Sequence, residues 1–460
     1  MNKLFSIILL VALVFFSTGC DKYLDLEPSQ SVSENIALNS DENVKSVLLG
    51  AYVLLNYYPT IPTSSAGLYG GLILRDAELL GGDGEIQWVG TYIDPRQIFN
   101  KDMISTNSEA NVHWRDAYKL INTVNNVLSA LDVVNAEDRD RVKGEALFLR
   151  ALNYFDLVRF FGKQYESATA GTDYGVPLIL TPTRGINDDS YVGRNSVEEV
   201  YTQVIADLTD AASLLPPDND VYATSGAANA LLARVYLQKE DYTNARSAAN
   251  AVIESGDYTI LNFYEDCFNQ DNNTAEDIFA TQITPQDISS SMNEFFSVPI
   301  YGGRDGDIDI LQAHLDLYSA GDERLDLFFL GNGAMRTGKW NNQYGCINLI
   351  RLAEMYLIRA ECNERLDPTE VTYVGDTPTN DYNVTHTRAG LTAVGSVTLD
   401  DILLERRLEL AFEGFKIHDM KRLHLDVGAR PYDDDKLVFP IPQREMDANK
   451  GLLGQQNPGY

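Results

Sequence analysis

Asp305-x-Asp307-x-Asp309 sets three carboxylates at the alternating positions with which a calcium loop begins, a pattern suited to a loosely bound calcium ion. The rest of such a loop does not follow. Ile310 stands where the sixth position needs glycine and Asp316 where the twelfth needs glutamate, so a solvated acidic loop is the simpler expectation. Gly81-Gly82-Asp83-Gly84 and Gly302-Gly303-Arg304 are glycine-rich, yet neither has the Gly-x-Gly-x-x-Gly or P-loop spacing that cradles phosphate. Both are expected to be turns. The sequence contains no Gly-x-Ser-x-Gly, Cys-x-x-Cys or His-Glu-x-x-His, and so no nucleophile elbow and no common zinc pattern. Its 67 acidic residues make a carboxylate pair at glycosidase separation a chance expectation, and no catalytic residue is assigned.

The side chains that stand out are rings in irregular chain. Trp88 and Tyr92 fall in one long insertion between helical stretches, Tyr301 and Trp340 in another. Flat rings offer large contact area at low entropic cost and carry binding energy when they line a pocket. These four, with Arg75 and Arg304 as polar contacts, form the expected ligand-binding set, placed between the two insertions. The competing expectation is a small satellite core beneath each long loop.

What must position these residues is helical. Val44, Val47, Leu48, Ala51, Leu54 and Leu55 recur at three- and four-residue steps, as do Trp114, Ala117, Tyr118, Ile121, Val124, Asn125, Leu128 and Leu131. A third helix is expected from Glu137 to Phe161, apolar nearly all round in its later part and ended by Gly162. Ser196-x-x-Glu199 has the form of a capping box, and Pro216-Pro217 stops the helix it starts. Residues 226–254 contain two helices broken near Asp241. In them Leu232-Ala233-x-x-Tyr236, followed by Tyr242, Ala245 and Ala249, matches the tetratricopeptide spacing.

Further first-helix elements occur at Leu49-Gly50-x-x-Val53, Ala151-x-x-Tyr154 and Leu352-Ala353-x-x-Tyr356, the last paired with a helix expected from Asp400 to Phe412 whose inward residues are Leu404, Leu408, Ala411 and Phe412. Four helix pairs are thus interrupted by residues 59–109, 162–195, 257–345 and 366–397. The expected architecture is all-α, a tetratricopeptide-like helix-pair scaffold with long loop-rich insertions carrying minor β-structure.

At the N-terminus, Lys3 precedes a run of 13 mostly apolar residues from Leu4 to Phe16, too short to span ~30 Å of hydrocarbon and laid out like a secretory signal. Ser17-Thr18-Gly19-Cys20 resembles a lipoprotein cleavage site, with Ser17 where leucine is commoner. The expected boundaries are a signal peptide over 1–19, a lipidated Cys20 with its tether over 20–34, and a single globular domain over 35–460, its N-terminal half about 35–256 and its loop-rich half about 257–460. Cys267, Cys346 and Cys362 can form at most one disulfide. With 36 basic against 67 acidic residues the formal charge is -31, a field that repels nucleic acid.

Seven blocks in order carry a resemblance over nearly the whole mature chain. They are Glu145-Ala-x-Phe-Leu-Arg150-Ala-x-x-Tyr154-Phe-Asp-Leu157, Gly175-Val-Pro-Leu178, Ala227 to Tyr258, Arg351-Leu-Ala-Glu-Met-Tyr-Leu-Ile-Arg-Ala-Glu361, Arg388-Ala-Gly-Leu391, Glu405-Arg-Arg-x-Glu-Leu-Ala-Phe-Glu-Gly414 and Gln456-Asn-Pro-Gly-Tyr460. Together they resemble the SusD/RagB family of outer-membrane nutrient-binding lipoproteins. The sequence departs at Lys416, where that family usually has arginine. The resemblance implies a cell-surface protein held by lipid on Cys20, no enzymatic activity, and a SusC-type TonB-dependent transporter as partner. It implies a glycan ligand or, in some members, a peptide, and its motifs do not encode which. A surface hydrolase or a scaffold without a small ligand are the readings of a different class. Glu405, Arg406, Arg407 and Glu409 are expected to pair ions between helices rather than touch ligand.

Overall fold

Apolar stripes at helical period become helices wherever a cap or breaker bounds them. The computed structural model describes residues 37–460 apart from 57–66, 83, 288 and 367–371. The first half carries α1 (Asp41–Asn56), α2 (Ile73–Gly81), α3 (Ile93–Asn100), α4 (Ser108–Leu128), α5 (Ala136–Phe161), α6 (Val197–Leu214), α7 (Ser225–Gln238) and α8 (Tyr242–Ser255). There follow α9 (Ser291–Phe296), α10 (Gln312–Leu315), α11 (Leu352–Arg365), α12 (Pro378–Arg388), α13 (Leu399–Glu409), α14 (Lys416–Arg422) and α15 (Gln443–Ala448). Six short strands complete the fold: β1 (Ile86–Trp88), β2 (Asp277–Thr281), β3 (Ile308–Ile310), β4 (Phe328–Gly331), β5 (Ala334–Thr337) and β6 (Ile347–Arg351). The expected signal peptide, Cys20 and tether lie outside the described residues. No helix among the described residues is long and apolar enough to cross a membrane.

The long helices stack in chain order. α1 packs on α4, α4 on α5, α5 on α6, α6 on α7, α7 on α8, α8 on α11, and α11 on α12 and α13, which makes the mainly helical, tetratricopeptide-like pairing. Local chemistry sets the ends. Ser196 Oγ accepts from Glu199 N at 3.2 Å while Glu199 Oε2 accepts from Ser196 N at 2.8 Å, closing the capping box of α6. Glu240 takes a left-handed φ of 59°, and the Asp241 carboxylate then caps Asn244 N, breaking α7 from α8. The main hydrophobic core runs from Val44 to Leu452, with two small satellite clusters at Tyr264, Cys267 and Phe268 and at Ala360, Tyr382 and Ile402; Cys267, Cys346 and Cys362 are buried free thiols.

Two expectations for the last pair need correction. The second helix of that pair, α13, ends at Glu409, and Leu404 faces solvent. The chain then turns through Phe412 at φ 62°, so Ala411 and Phe412 are buried by that turn and not by the helical stripe. Residues 366–397 are also less irregular than expected, because α12 lies within them and packs on α11. Its start is marked by Thr377 capping Asn380 N at 3.1 Å and by Pro378 in the first turn, where its missing N–H costs nothing.

Charged residues of the seven blocks meet inside the protein. Arg351 Nη1 reaches Glu276 Oε1 at 2.7 Å and Glu409 Oε1 at 3.0 Å, and its Nε reaches Glu413 Oε2 at 2.8 Å. Arg388 joins the same Glu276 and Glu409. Arg324 pairs with Glu405 at 2.8 Å, and Lys339 with Glu413 at 2.7 Å. Burial alone would raise the Glu409 carboxyl, but Arg388, Arg351 and Arg324 beside it hold it down to about 2. Arg406 pairs with Asp419, Arg407 with Glu85, and Lys416 with Glu85 at 2.7 Å, so the charge kept at the Lys416 departure still finds a carboxylate.

Candidate functional site

The first and third insertions are joined by a sheet. β1 runs antiparallel to β3 with Trp88 opposite Ile308 and Ile86 opposite Ile310. β3 pairs with β5, and β5 with β4, in the order β1-β3-β5-β4. Asn332 and Gly333, both at positive φ (50° and 81°), make the two-residue turn of the β4–β5 hairpin, a geometry that Asn-Gly adopts at least strain. Beyond β1 the pairing continues through Val89 N to Asp307 O at 2.8 Å. A cleft of about 310 Å³ opens here between Val89–Thr91, Arg304–Asp309 and Asn332–Arg336.

Phe295, on the short helix α9, is the hub beneath this face. Trp88 packs on it with ring centroids 5.8 Å apart and Tyr92 edge-on at 6.0 Å. The Arg75 guanidinium lies 4.5 Å from its centroid, and Arg304 stacks over Tyr92 at 4.0 Å. Arg304 also donates to Thr91 Oγ1 at 3.3 Å and pairs with Asp307 at 3.2 Å. Tyr301 meets Phe329 of β4 edge-on at 5.6 Å. Tyr92 and Tyr301 each remain 42% exposed.

Three of the six expected contact residues are therefore inside the protein. Trp88 points to the core face of β1, 5% exposed, and Gly90 lies so close that a Cβ there would be 2.6 Å from its ring. Trp340 is 4% exposed, its Nε1 donating to Phe412 O at 3.1 Å. Arg75 sits on the fully buried helix α2, paired with Asp76 at 2.7 Å and Glu109 at 3.0 Å. The physical reason is shared. Each insertion folds elements of its own onto the helical scaffold, and a ring on the inward side of such an element serves the core. Tyr92, Tyr301 and Arg304 stay at the surface of the face. Phe295 and Arg336 escaped the sequence reading, and Asp307 entered it only as an acid of the triplet; the one local signal for α9 is Ser290, which caps it through Met292 N and Asn293 N.

Two of the three acids of the triplet are paired with cations. Asp307 faces Arg304, and Asp309 meets Arg336 Nη1 at 2.7 Å. Among the described residues no group of three or more His, Cys, Asp or Glu is placed to hold a metal ion. Below them, burial pushes the Glu294 carboxyl up to about 7 against the pull of Arg75 and Arg304. A raised acid stays protonated in the fold while the unfolded chain ionises, so stability is lost as pH climbs from the unfolded value toward 7. Glu294→Gln is accordingly expected to match the parent near pH ~5 and to exceed it near pH ~8 by up to ~3 kcal/mol. Urea melts of both proteins at the two pH values check this, and an equal gap at both would refute it.

The arrangement offers two exposed rings, a stacked guanidinium and a polar cleft on a rigid sheet, which suits holding a ligand. Two family models match the chain, one described as "Starch-binding associating with outer membrane" over residues 22–237 and one as "SusD family" over residues 332–434. A SusD-like protein of Formosa agariphila, P2, is 24% identical with 100% of this chain and 99% of its own length covered. The chain spans only 54% of the length of a second, P25, at 22% identity, and 64% of that of a SusD-like protein of Bacteroides ovatus at 25%. A solved SusD superfamily protein of Bacteroides thetaiotaomicron superposes with a TM-score of 0.78 at 25% identity, covering 91% of this chain and 100% of that one. Surface glycan-binding protein A of Bacteroides fluxus gives 0.75 at 22%, covering 92% and 100%. The helix pairs, the buried ion network built from the sequence blocks, and these matches at both ends of the chain agree, and the protein belongs to the SusD/RagB family.

Proposed function

We propose that the protein is an outer-membrane lipoprotein of the cell surface that captures nutrient oligosaccharides or polysaccharides and hands them, chemically unchanged, to a SusC-type TonB-dependent transporter. The observation that carries this reading is the joined face: two insertions distant in sequence share one sheet and present Tyr92, Tyr301 and Arg304 beside a polar cleft. A ring face can lie along the C–H face of a sugar, while Arg304, Thr91 and Asn332 supply hydrogen-bonding groups to hydroxyls. The description of the matching family model and the name of the Bacteroides fluxus relative support a glycan as the ligand class. Calorimetric titration of the mature protein with neutral oligosaccharides tests the reading: binding without product formation is expected, and cleavage of the sugar by homogeneous protein would overturn it.

Anchoring and partnership have their own tests. Cys20→Ala is expected to leave the protein without lipid and to move it from membrane to soluble fractions, because two acyl chains are what make attachment stable. Continued membrane attachment of that variant in cells lacking the transporter would contradict it. Native purification in detergent is expected to bring down a large β-barrel, through an interface above the usual ~1,600 Å² because a lid must cover a pore mouth.

A further inference from the structure

A second cleft, of about 440 Å³, shares no lining residue with the first. One wall is the outer side of α4, where Trp114 and Tyr118 stand with ring centroids 5.0 Å apart. The opposite wall is the segment 177–191, carrying Ile186 and Tyr191, and the end is closed by Glu445 on α15. The walls are tied together in advance. Tyr118 Oη donates to Pro177 O at 2.7 Å, Thr183 N to Asn122 Oδ1 at 2.8 Å, and Asn449 Nδ2 to Val192 O at 2.8 Å. The cleft therefore exists without a ligand, as binding sites for small molecules mostly do.

Two features of its lining have no role in the fold. Ile186 is 82% exposed at the lip. Glu445 is half-buried, and among the described residues its carboxylate makes no hydrogen bond; burial raises its proton affinity and only Arg444 opposes this. A partly desolvated carboxylate without a donor costs stability unless something arriving from outside donates to it. Its two oxygens can each accept from neighbouring hydroxyls, while the apolar wall takes a ring face. Arg115, itself paired with Asp116, and Lys119 line the same cleft, so its local charge is close to balanced and a neutral sugar suits it.

We propose that this cleft is a second saccharide site, taking a neutral sugar whose hydroxyls donate to Glu445 while its ring lies along Ile186, Tyr118 and Tyr191. This rests on the glycan-binding reading above, and the experiment separates the two. Neutral malto-, cello-, xylo- and laminari-oligosaccharides, from di- to hexasaccharides, are titrated calorimetrically into the full mature protein, into a Tyr92→Ala/Tyr301→Ala variant and into Glu445→Ala. Ile186→Asp serves as a second variant of the cleft; it lies at the surface and threatens the fold least. The expected result is that the double tyrosine variant still binds sugar, and that adding Glu445→Ala or Ile186→Asp to it weakens what remains by about tenfold or more. If the double tyrosine variant loses all binding while Glu445→Ala and Ile186→Asp bind like the parent, the second site is overturned and the first reading stands. If no neutral sugar binds the parent, both fall.

Discussion

Arg351→Met is expected to prevent accumulation of stable folded protein. The Arg351 guanidinium is buried and reaches Glu276, Glu409 and Glu413, three carboxylates that are themselves buried. Removing the cation leaves that acid cluster with Arg388 and Lys339 as its nearest remaining partners. Breaking a buried pair by deleting one partner costs about 3–5 kcal/mol, because the partner keeps its desolvation and loses its compensation. Native stability is of order 5–15 kcal/mol in all, and here one cation serves three acids. Glu276 precedes β2, Arg351 ends β6 and Glu409 ends α13, so the loss would loosen the strand pair and the last helices together. Arg351→Lys should be intermediate, since charge remains but the planar fork that satisfies several acids does not. Expression yield and urea denaturation of both variants check this; an Arg351→Met protein melting like its parent would show that the network does not hold the fold.

Binding and folding should come apart at the aromatic residues. Tyr92→Ala and Tyr301→Ala are each expected to lower oligosaccharide affinity by ~2 kcal/mol, about thirtyfold, with helical circular dichroism and melting unchanged. Arg304→Ala should act in the same direction, because it removes both the cation stacked on Tyr92 and the hydrogen bond to Thr91. Trp88→Ala and Trp340→Ala should do the reverse, lowering stability by ~3–5 kcal/mol through the cavities they leave. At Trp340 the Phe412 carbonyl also loses its donor. Calorimetry paired with thermal melts on all five variants separates the classes. Equal affinity across the two tyrosine variants and the parent would remove this face from the binding site.

Much of the scaffold follows from short-range chemistry, and there the sequence suffices. An apolar stripe at helical period, a Ser196–Glu199 box or a Thr377-Pro378 start acts within one or two turns of chain, so α1, α4, α5 and the α6 to α8 series can be traced residue by residue. The lost α12 reflects a stripe thinned by polar residues, whose burial depends on α11 and not on its own period. Which loop rings face solvent is decided at longer range. Trp88 and Tyr92 are four residues apart and chemically alike, yet β1 pairs with β3 more than two hundred residues away in sequence, and that pairing turns Trp88 onto Phe295 while Tyr92 stays at the edge. The charged motif residues behave likewise. Their presence is plain in the sequence, but that Arg351, Arg388, Glu409 and Glu413 share one buried cluster with Glu276, which lies outside those motifs, is decided only when four separate segments meet. A charge can enter the core only where its counter-charges are already held, and only tertiary packing brings them there.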